Sequence, residues 1–188
     1  MRRLSVFNNV SLDGYFTGPD GDLSWAKRNS DDAEWNGFVA GNARGGGCLI
    51  FGRVTYELMI RYWPTPIAKQ NDPVVAERMN SLPKLVFSRT LSEASWNNTR
   101  LVRGGLTEEI RRLKSESGPD MVILGSGRIV SRLAAENLID EFQLAVNPVI
   151  LGRGRTMFEG LERPVSLKTT AARHFANGIV FLSYAPGP

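Results

Sequence analysis

Short unbroken apolar runs recur along the chain, and three of them end in small or hydroxyl residues. Cys48-Leu49-Ile50-Phe51 leads into Gly52-Arg53-Val54-Thr55-Tyr56-Glu57 and a helical pattern reaching about Tyr62. Lys84-Leu85-Val86-Phe87 ends in Ser88-Arg89. Met121-Val122-Ile123-Leu124 is broken by Gly125-Ser126-Gly127 before helical spacing resumes from about Arg128 to Glu136. Runs of this kind predict strands buried on both faces, as in parallel sheets. Leu4-Ser5-Val6-Phe7 predicts a further strand at the start, Arg100 to Arg103 a short one, and the alternation from Asp140 to Val149 an extended one.

The connecting segments carry their own punctuation. Asp31 or Asp32 can cap a helix bearing Trp35, Phe38 and Val39 at helical spacing, with Gly45-Gly46-Gly47 as its stop. Trp63-Pro64 ends the helix that follows Gly52, Asp72-Pro73 starts a short one through Met79, and Ser81-Leu82-Pro83 stops that in turn. Thr107 is expected to cap a helix with Glu108 and Glu109 in its first turn, and Ser117-Gly118-Pro119 closes it. Gly18-Pro19-Asp20-Gly21 reads as a turn, and Asn177-Gly178 joins two extended arms, 165–175 and 179–184, as a hairpin. Strands alternating with helices, then a terminal antiparallel pair, predict an α/β fold: one domain over residues 1–188, a mostly parallel central sheet and a C-terminal antiparallel hairpin.

Composition narrows the function more by exclusion than by suggestion. With 42% apolar and 22% charged residues over 188 positions, a single soluble domain with a substantial core is expected. The net charge of +4 is spread over scattered arginines, which suits an anionic small ligand and not a nucleic-acid stripe. No apolar run approaches a membrane span, and the N-terminus has no secretory pattern, so a cytoplasmic protein is expected. One cysteine, Cys48, and one histidine, His174, leave no disulfide, no His/Cys metal cluster and no Cys-His pair of catalytic character. No metal site is expected.

Ligands of open α/β sheets bind beyond the carboxyl ends of the strands. Three strand ends here carry groups that suit phosphates. Gly125-Ser126-Gly127 would let a ligand approach backbone closely at a helix start, Gly52 to Thr55 repeats the arrangement, and Ser88-Arg89 offers a hydroxyl and a guanidinium. Each is also compatible with an ordinary turn.

Taken in order and spacing, Gly52 to Glu57, Leu85 to Thr90 and Val122 to Arg128 resemble the dihydrofolate reductase superfamily. Ser11-Leu12-Asp13-Gly14 and Asn147-Pro148-Val149-Ile150-Leu151-Gly152-Arg153-Gly154 narrow the resemblance to its riboflavin-biosynthesis branch, the RibD C-terminal reductase domain. The resemblance covers nearly the whole chain. It implies a three-layer dihydrofolate reductase-like fold, NADPH as cofactor, hydride transfer to a ribosylaminopyrimidine or related heterocycle, and a homodimer. It further implies that Gly52, Arg53 and Thr55 contact the cofactor phosphates and that Ser88 with Arg89 clamps the 2′-phosphate. Gly125, Ser126, Gly127, Arg128 and Ile129 would cradle the pyrophosphate and nicotinamide ribose, and Asn9 and Phe16 would meet the nicotinamide.

The proton donor is open among Glu34, Asp32 and Asp13. The first two lie where folate reductases carry the acid that holds the pterin, yet acids also suit any helix start. Asp13 could bind substrate or make its own turn. Tyr56 and Trp63 are expected in the core or at a dimer contact, with the wall of a heterocycle pocket as the alternative. The zinc-binding deaminase motifs are absent from the chain. A dihydrofolate or pterin reductase and a nucleotide-binding module without turnover remain as alternative functions.

Overall fold

In a computed structural model of the protein, residues 1–26, 32–45 and 47–187 are described. The strands are β1 (Leu4–Ser11), β2 (Tyr15–Thr17), β3 (Cys48–Gly52), β4 (Lys84–Phe87), β5 (Thr99–Val102), β6 (Met121–Leu124), β7 (Glu141–Asn147), β8 (Arg155–Thr156), β9 (Leu167–His174) and β10 (Val180–Pro186). The helices are α1 (Ala33–Arg44), α2 (Arg53–Tyr62), α3 (Pro66–Asn71), α4 (Pro73–Ser81), α5 (Leu106–Ser115) and α6 (Gly127–Ala135), with a 3-10 turn at Ser24–Ala26.

The central sheet has eight strands in the order β5-β4-β3-β6-β1-β7-β10-β9. The first six run parallel, β10 pairs antiparallel with β7, and β9 antiparallel with β10. This is the mostly parallel sheet with a C-terminal antiparallel hairpin that the patterning predicts. Because β1, β3, β4 and β6 are parallel, their carboxyl ends share one edge of the sheet, and β2 pairs with β8 in a separate small ribbon.

Alternation along the strands divides the core into layers. Leu4 and Val6 of β1, Ile50 of β3 and Ile123 of β6 face Ile110 and Leu113 of α5 and Ile129, Val130 and Leu133 of α6 in one continuous cluster. The opposite face is covered in two separate pieces. Tyr56 of α2 and Met79 of α4 close over Leu49, Phe51 and Val86, while Trp35 of α1 packs with Ala145, Phe175, Ile179 and Phe181. The interruption between those two clusters lies over β1 and β6, where Phe7, Val122 and Leu124 are only half-buried.

Three local expectations need adjustment. Helix α3 was not anticipated: Thr65 accepts a hydrogen bond from the N–H of Ala68 and Pro66 takes the first helical position, so a second helix starts directly after the proline stop. Thr107 does not cap α5, because Gly105 takes that place and Thr107 is buried in the first turn. The hairpin turn is wider than two residues, since Phe175 N–H bonds the carbonyl of Ile179, and Asn177 accepts from Ile179 N–H while Gly178 alone takes positive φ. Of the helix-flanking expectations, Asp31 and Gly46 lie outside the described residues. Among the described residues no helix is long and apolar enough to cross a membrane.

Candidate functional site

The interruption in the core opens as a cleft of about 1650 Å³ that runs up to the carboxyl edge of the sheet. Its floor is Phe7, Leu49, Val122 and Leu124, and its walls are Val39 and Asn42 of α1, Leu58 and Met59 of α2, and Trp63 just after α2. That volume exceeds what one drug-sized molecule needs and leaves room for a dinucleotide with a second ligand beside it. At the open edge the three strand tips meet: Gly52, Arg53 and Thr55 at the start of α2, Ser88 at the end of β4, and Gly125 through Ile129 at the start of α6 all line the same cleft. Asn9 and Phe16 line it from the end of β1 and from β2.

A dense set of hydrogen bonds fixes the meeting point. Gly52 N–H donates to Ser126 Oγ (2.7 Å), Ser126 N–H and Ser126 Oγ both donate to Thr55 Oγ1 (3.1 and 3.0 Å), and Asn8 grips Gly125 from below. The buried Asn8 amide acts as a strand partner, accepting from Gly125 N–H (2.6 Å) and donating to Gly125 C=O (3.3 Å). Ser126 is held at φ 58°, a left-handed conformation that costs a non-glycine residue about 1–2 kcal/mol and that these bonds over-determine.

Both glycines of the turn are required by space. A Cβ on Gly125, at φ +62°, would sit 2.8 Å from Cγ2 of Thr55, and one on Gly127 would sit 2.9 Å from Cε1 of Phe16. The ring of Phe16 thus rests on bare backbone.

Neither helix start at this edge has a side-chain cap, whereas Asp32 caps α1. Both starts line the cleft, and apart from Ile129 N–H, which bonds Ser126 C=O, their first-turn N–H groups have no side-chain cap among the described residues, the arrangement that accepts anionic oxygen. Arg128 and Arg155 add positive charge to the lining, while Arg53 shares its charge with Glu57 at 3.1 Å. Thr55 Oγ1 accepts both bonds from Ser126, so its own proton remains to be donated. Ser88 Oγ accepts from the N–H groups of Thr90 (3.2 Å) and Leu91 (2.9 Å), which also leaves its hydroxyl proton to give.

Four expected site residues stand apart from the cleft. Arg89 is exposed at the tip of β4 but outside the lining. Glu34 is paired with Arg173 of β9 at 2.8 Å, and Asp32 Oδ1 accepts from Trp35 N–H at 2.9 Å. Asp13 accepts from the N–H groups of Gly152 (2.7 Å) and Leu151 (3.1 Å), tying the loop after β1 to the loop after β7. The Ser11 hydroxyl and these N–H groups hold its carboxyl below the usual range. All three acids line no part of the cleft and each has a structural partner; acids that do line it are Asp20, Glu57 and Glu159, among others. Tyr56 is core, its hydroxyl oxygen accepting from the backbone N–H of Trp96 at 3.0 Å, and Trp63 is a wall of the cleft.

A family model described as the RibD C-terminal domain matches residues 2–181. The chain belongs to the RibD C-terminal domain family. A relative within reach of sequence comparison, the uncharacterized protein YyaP of Bacillus subtilis (strain 168), is 29% identical over 187 residues, covering 97% of this chain and 94% of its own. Among solved structures, the Thermotoga maritima diaminohydroxyphosphoribosylaminopyrimidine deaminase/5-amino-6-(5-phosphoribosylamino)uracil reductase aligns with TM-score 0.68 at 14% identity, over 99% of this chain and 57% of that one. Enterococcus faecalis dihydrofolate reductase, solved with NADP(H), aligns with TM-score 0.65 at 16% identity, over 99% and 97% of the two chains. At these identities the structures show a shared fold: this RibD C-terminal domain has the dihydrofolate reductase-like architecture.

Sequence reasoning missed two contributors to the site. Asn8 belongs to no motif, and Asn147 opens the Asn147–Gly154 signature without a role of its own, yet each acts across more than 110 positions of chain, on Gly125 and on Asn9 respectively. Their one visible signal is an amide side chain at a strand position otherwise suited to an apolar residue.

Proposed function

We propose that this RibD C-terminal domain is an NADPH-dependent reductase that delivers hydride to a small heterocycle of the ribosylaminopyrimidine kind, such as 5-amino-6-(5-phosphoribosylamino)uracil. The reading rests on one observation: three strand tips and two uncapped helix starts converge on a single cleft whose backbone cradle admits no Cβ at Gly125 or Gly127. A cradle of free N–H groups suits a diphosphate. A 2′-phosphate seated at Ser88 would meet a hydroxyl donor in the lining and, just outside it, the exposed Arg89 guanidinium. Bound NADPH would supply the hydride; the protein's task is to hold its ring against the acceptor and exclude water. Phe16, laid on Gly127, and Asn9 present an apolar face and a polar group where the ring would lie, and the trough floored by Phe7, Val122 and Leu124 takes the second molecule.

Dihydrofolate fits this cleft less well, because Glu34 and Asp32, the acids at the position that would grip a pterin, are paired with Arg173 and with the α1 backbone. Loss of reduced-nicotinamide absorbance tests the reading. Turnover is expected with 5-amino-6-(5-phosphoribosylamino)uracil and not with dihydrofolate, and a wild-type protein that fails to bind NADPH would overturn it. Replacing Ser88 and Arg89 together by Ala is expected to weaken NADPH about tenfold more than NADH, roughly the worth of a charge-assisted contact. Equal weakening of the two removes the 2′-phosphate role.

A further inference from the structure

Asn9 ends the cleft-facing row of β1, one residue beyond the Asn8 that holds the glycine turn. Its Oδ1 accepts a hydrogen bond from Nδ2 of Asn147 at 3.1 Å. Asn147 is fully buried, and the same Nδ2 donates to the backbone carbonyls of Ala145 (2.9 Å) and Val10 (3.4 Å). Carbonyls only accept, so Asn147 must turn its NH2 toward them; the reversed amide would set oxygen against two oxygens. This orientation leaves Asn147 Oδ1 buried without a protein partner among the described residues, a cost of about 1–3 kcal/mol that the two Nδ2 protons, shared among three acceptors, offset. Asn9 meets that NH2 and has to answer with its oxygen. Its own NH2 is therefore left without a protein partner among the described residues, on a residue that lines the cleft.

We propose that Asn147 is a positioning residue that locks Asn9 as a hydrogen-bond donor, and that the donor's target is the carbonyl oxygen of the nicotinamide carboxamide. The target follows from neighbourhood and chemistry: Asn9 adjoins the Asn8–Gly125 cradle and shares the cleft with the half-buried ring of Phe16, and a neutral amide donor matches a neutral carbonyl. The inference rests on the nicotinamide reading of the cleft given above. Ligands with an acceptor at that position are selected, and those without one are not.

Two probes separate the claim from the reading beneath it: NADPH, and 2′-phospho-ADP-ribose, which has every phosphate but no nicotinamide. Wild-type protein binds both; binding of neither would overturn the cleft reading, and the proposal with it. Asn9→Asp keeps the oxygen that Asn147 needs and exchanges the donor for an acceptor. It is expected to weaken NADPH about tenfold or more, with 2′-phospho-ADP-ribose and the thermal midpoint unchanged. Equal weakening of both probes, or of neither, overturns the proposal. Asn147→Ser removes the locking NH2 and is expected to weaken NADPH about three- to tenfold, again sparing the probe without nicotinamide. In an Asn9→Ala background the same change is expected to add nothing, because Asn147 acts through Asn9; a further loss of equal size contradicts the positioning role. Should Asn147→Ser fail to fold, Asn9→Asp decides the matter alone.

Discussion

Single side chains set the geometry of the cleft's open edge. Gly125 has room for no side chain beside Thr55 and lies at positive φ, so Gly125→Ala is expected to lower stability by about 1–3 kcal/mol and to abolish measurable NADPH binding, as followed by thermal melting and titration. Lys84, at the opposite end of β4 from Ser88, offers a contrast. It is 1% exposed, its ammonium donates to the carbonyls of Leu82 (2.7 Å), Asn97 (3.0 Å) and Asn80 (3.2 Å), and it lies 4.6 Å from the centre of the Trp96 ring. Lys84→Ala strands three carbonyls, and urea unfolding is expected to show a loss of about 3–5 kcal/mol with NADPH affinity retained in the folded fraction. At this scale legibility depended on chemistry that is unusual in isolation. Gly125 and Gly127 were readable because only glycine serves there. Glu34 and Asp32 misled because a helix N-terminus favours the same acids that a catalytic site would use, and Asn8 was invisible because its partner is 117 positions away.

Helices and strands divide the work between holding and binding. The start of α1 is capped by Asp32 and serves packing, whereas the starts of α2 and α6 lack side-chain caps and serve the cleft. Elsewhere, α5 is fastened to β5 by Glu109, which bonds Arg100 at 2.5 Å and Arg112 at 2.9 Å. The Arg112 hydrogen bond, with Arg100 assisting, holds the Glu109 carboxyl down at about 2. A carboxyl depressed in the folded state contributes stability that is fully present above the ordinary value of 4.5 and is lost as pH falls from there toward about 2. Glu109→Gln is therefore expected to flatten the decline in stability across that window, by about 1 kcal/mol or less because the arginines are half-exposed to screening solvent; an unchanged acid limb would show the pair to be inert. Element type was legible wherever three or four apolar residues stood together, as at Ile50, Val86 and Ile123. Boundaries were less so: Pro64 read as a stop, and the Thr65 cap that restarts the chain as α3 was overlooked.

At the scale of the molecule, function follows from where the core is incomplete. One face of the sheet is sealed by α5 and α6 in a continuous cluster, while the other is sealed in two pieces that leave β1 and β6 bare beneath the cleft. Sequence patterning showed the order of strands along the chain and the tips whose groups suit a phosphate. That β6 inserts between β3 and β1, and so brings the tips of β3, β4 and β6 together, is a property of pairing that no local pattern contains. The most direct test of the central claim is the crystal structure of the NADPH complex. The diphosphate is expected within hydrogen-bond distance of the N–H groups of Gly127 and Arg128, with the 2′-phosphate at Ser88 and the nicotinamide beside Asn9; a nucleotide bound away from the Gly125–Gly127 turn would contradict it.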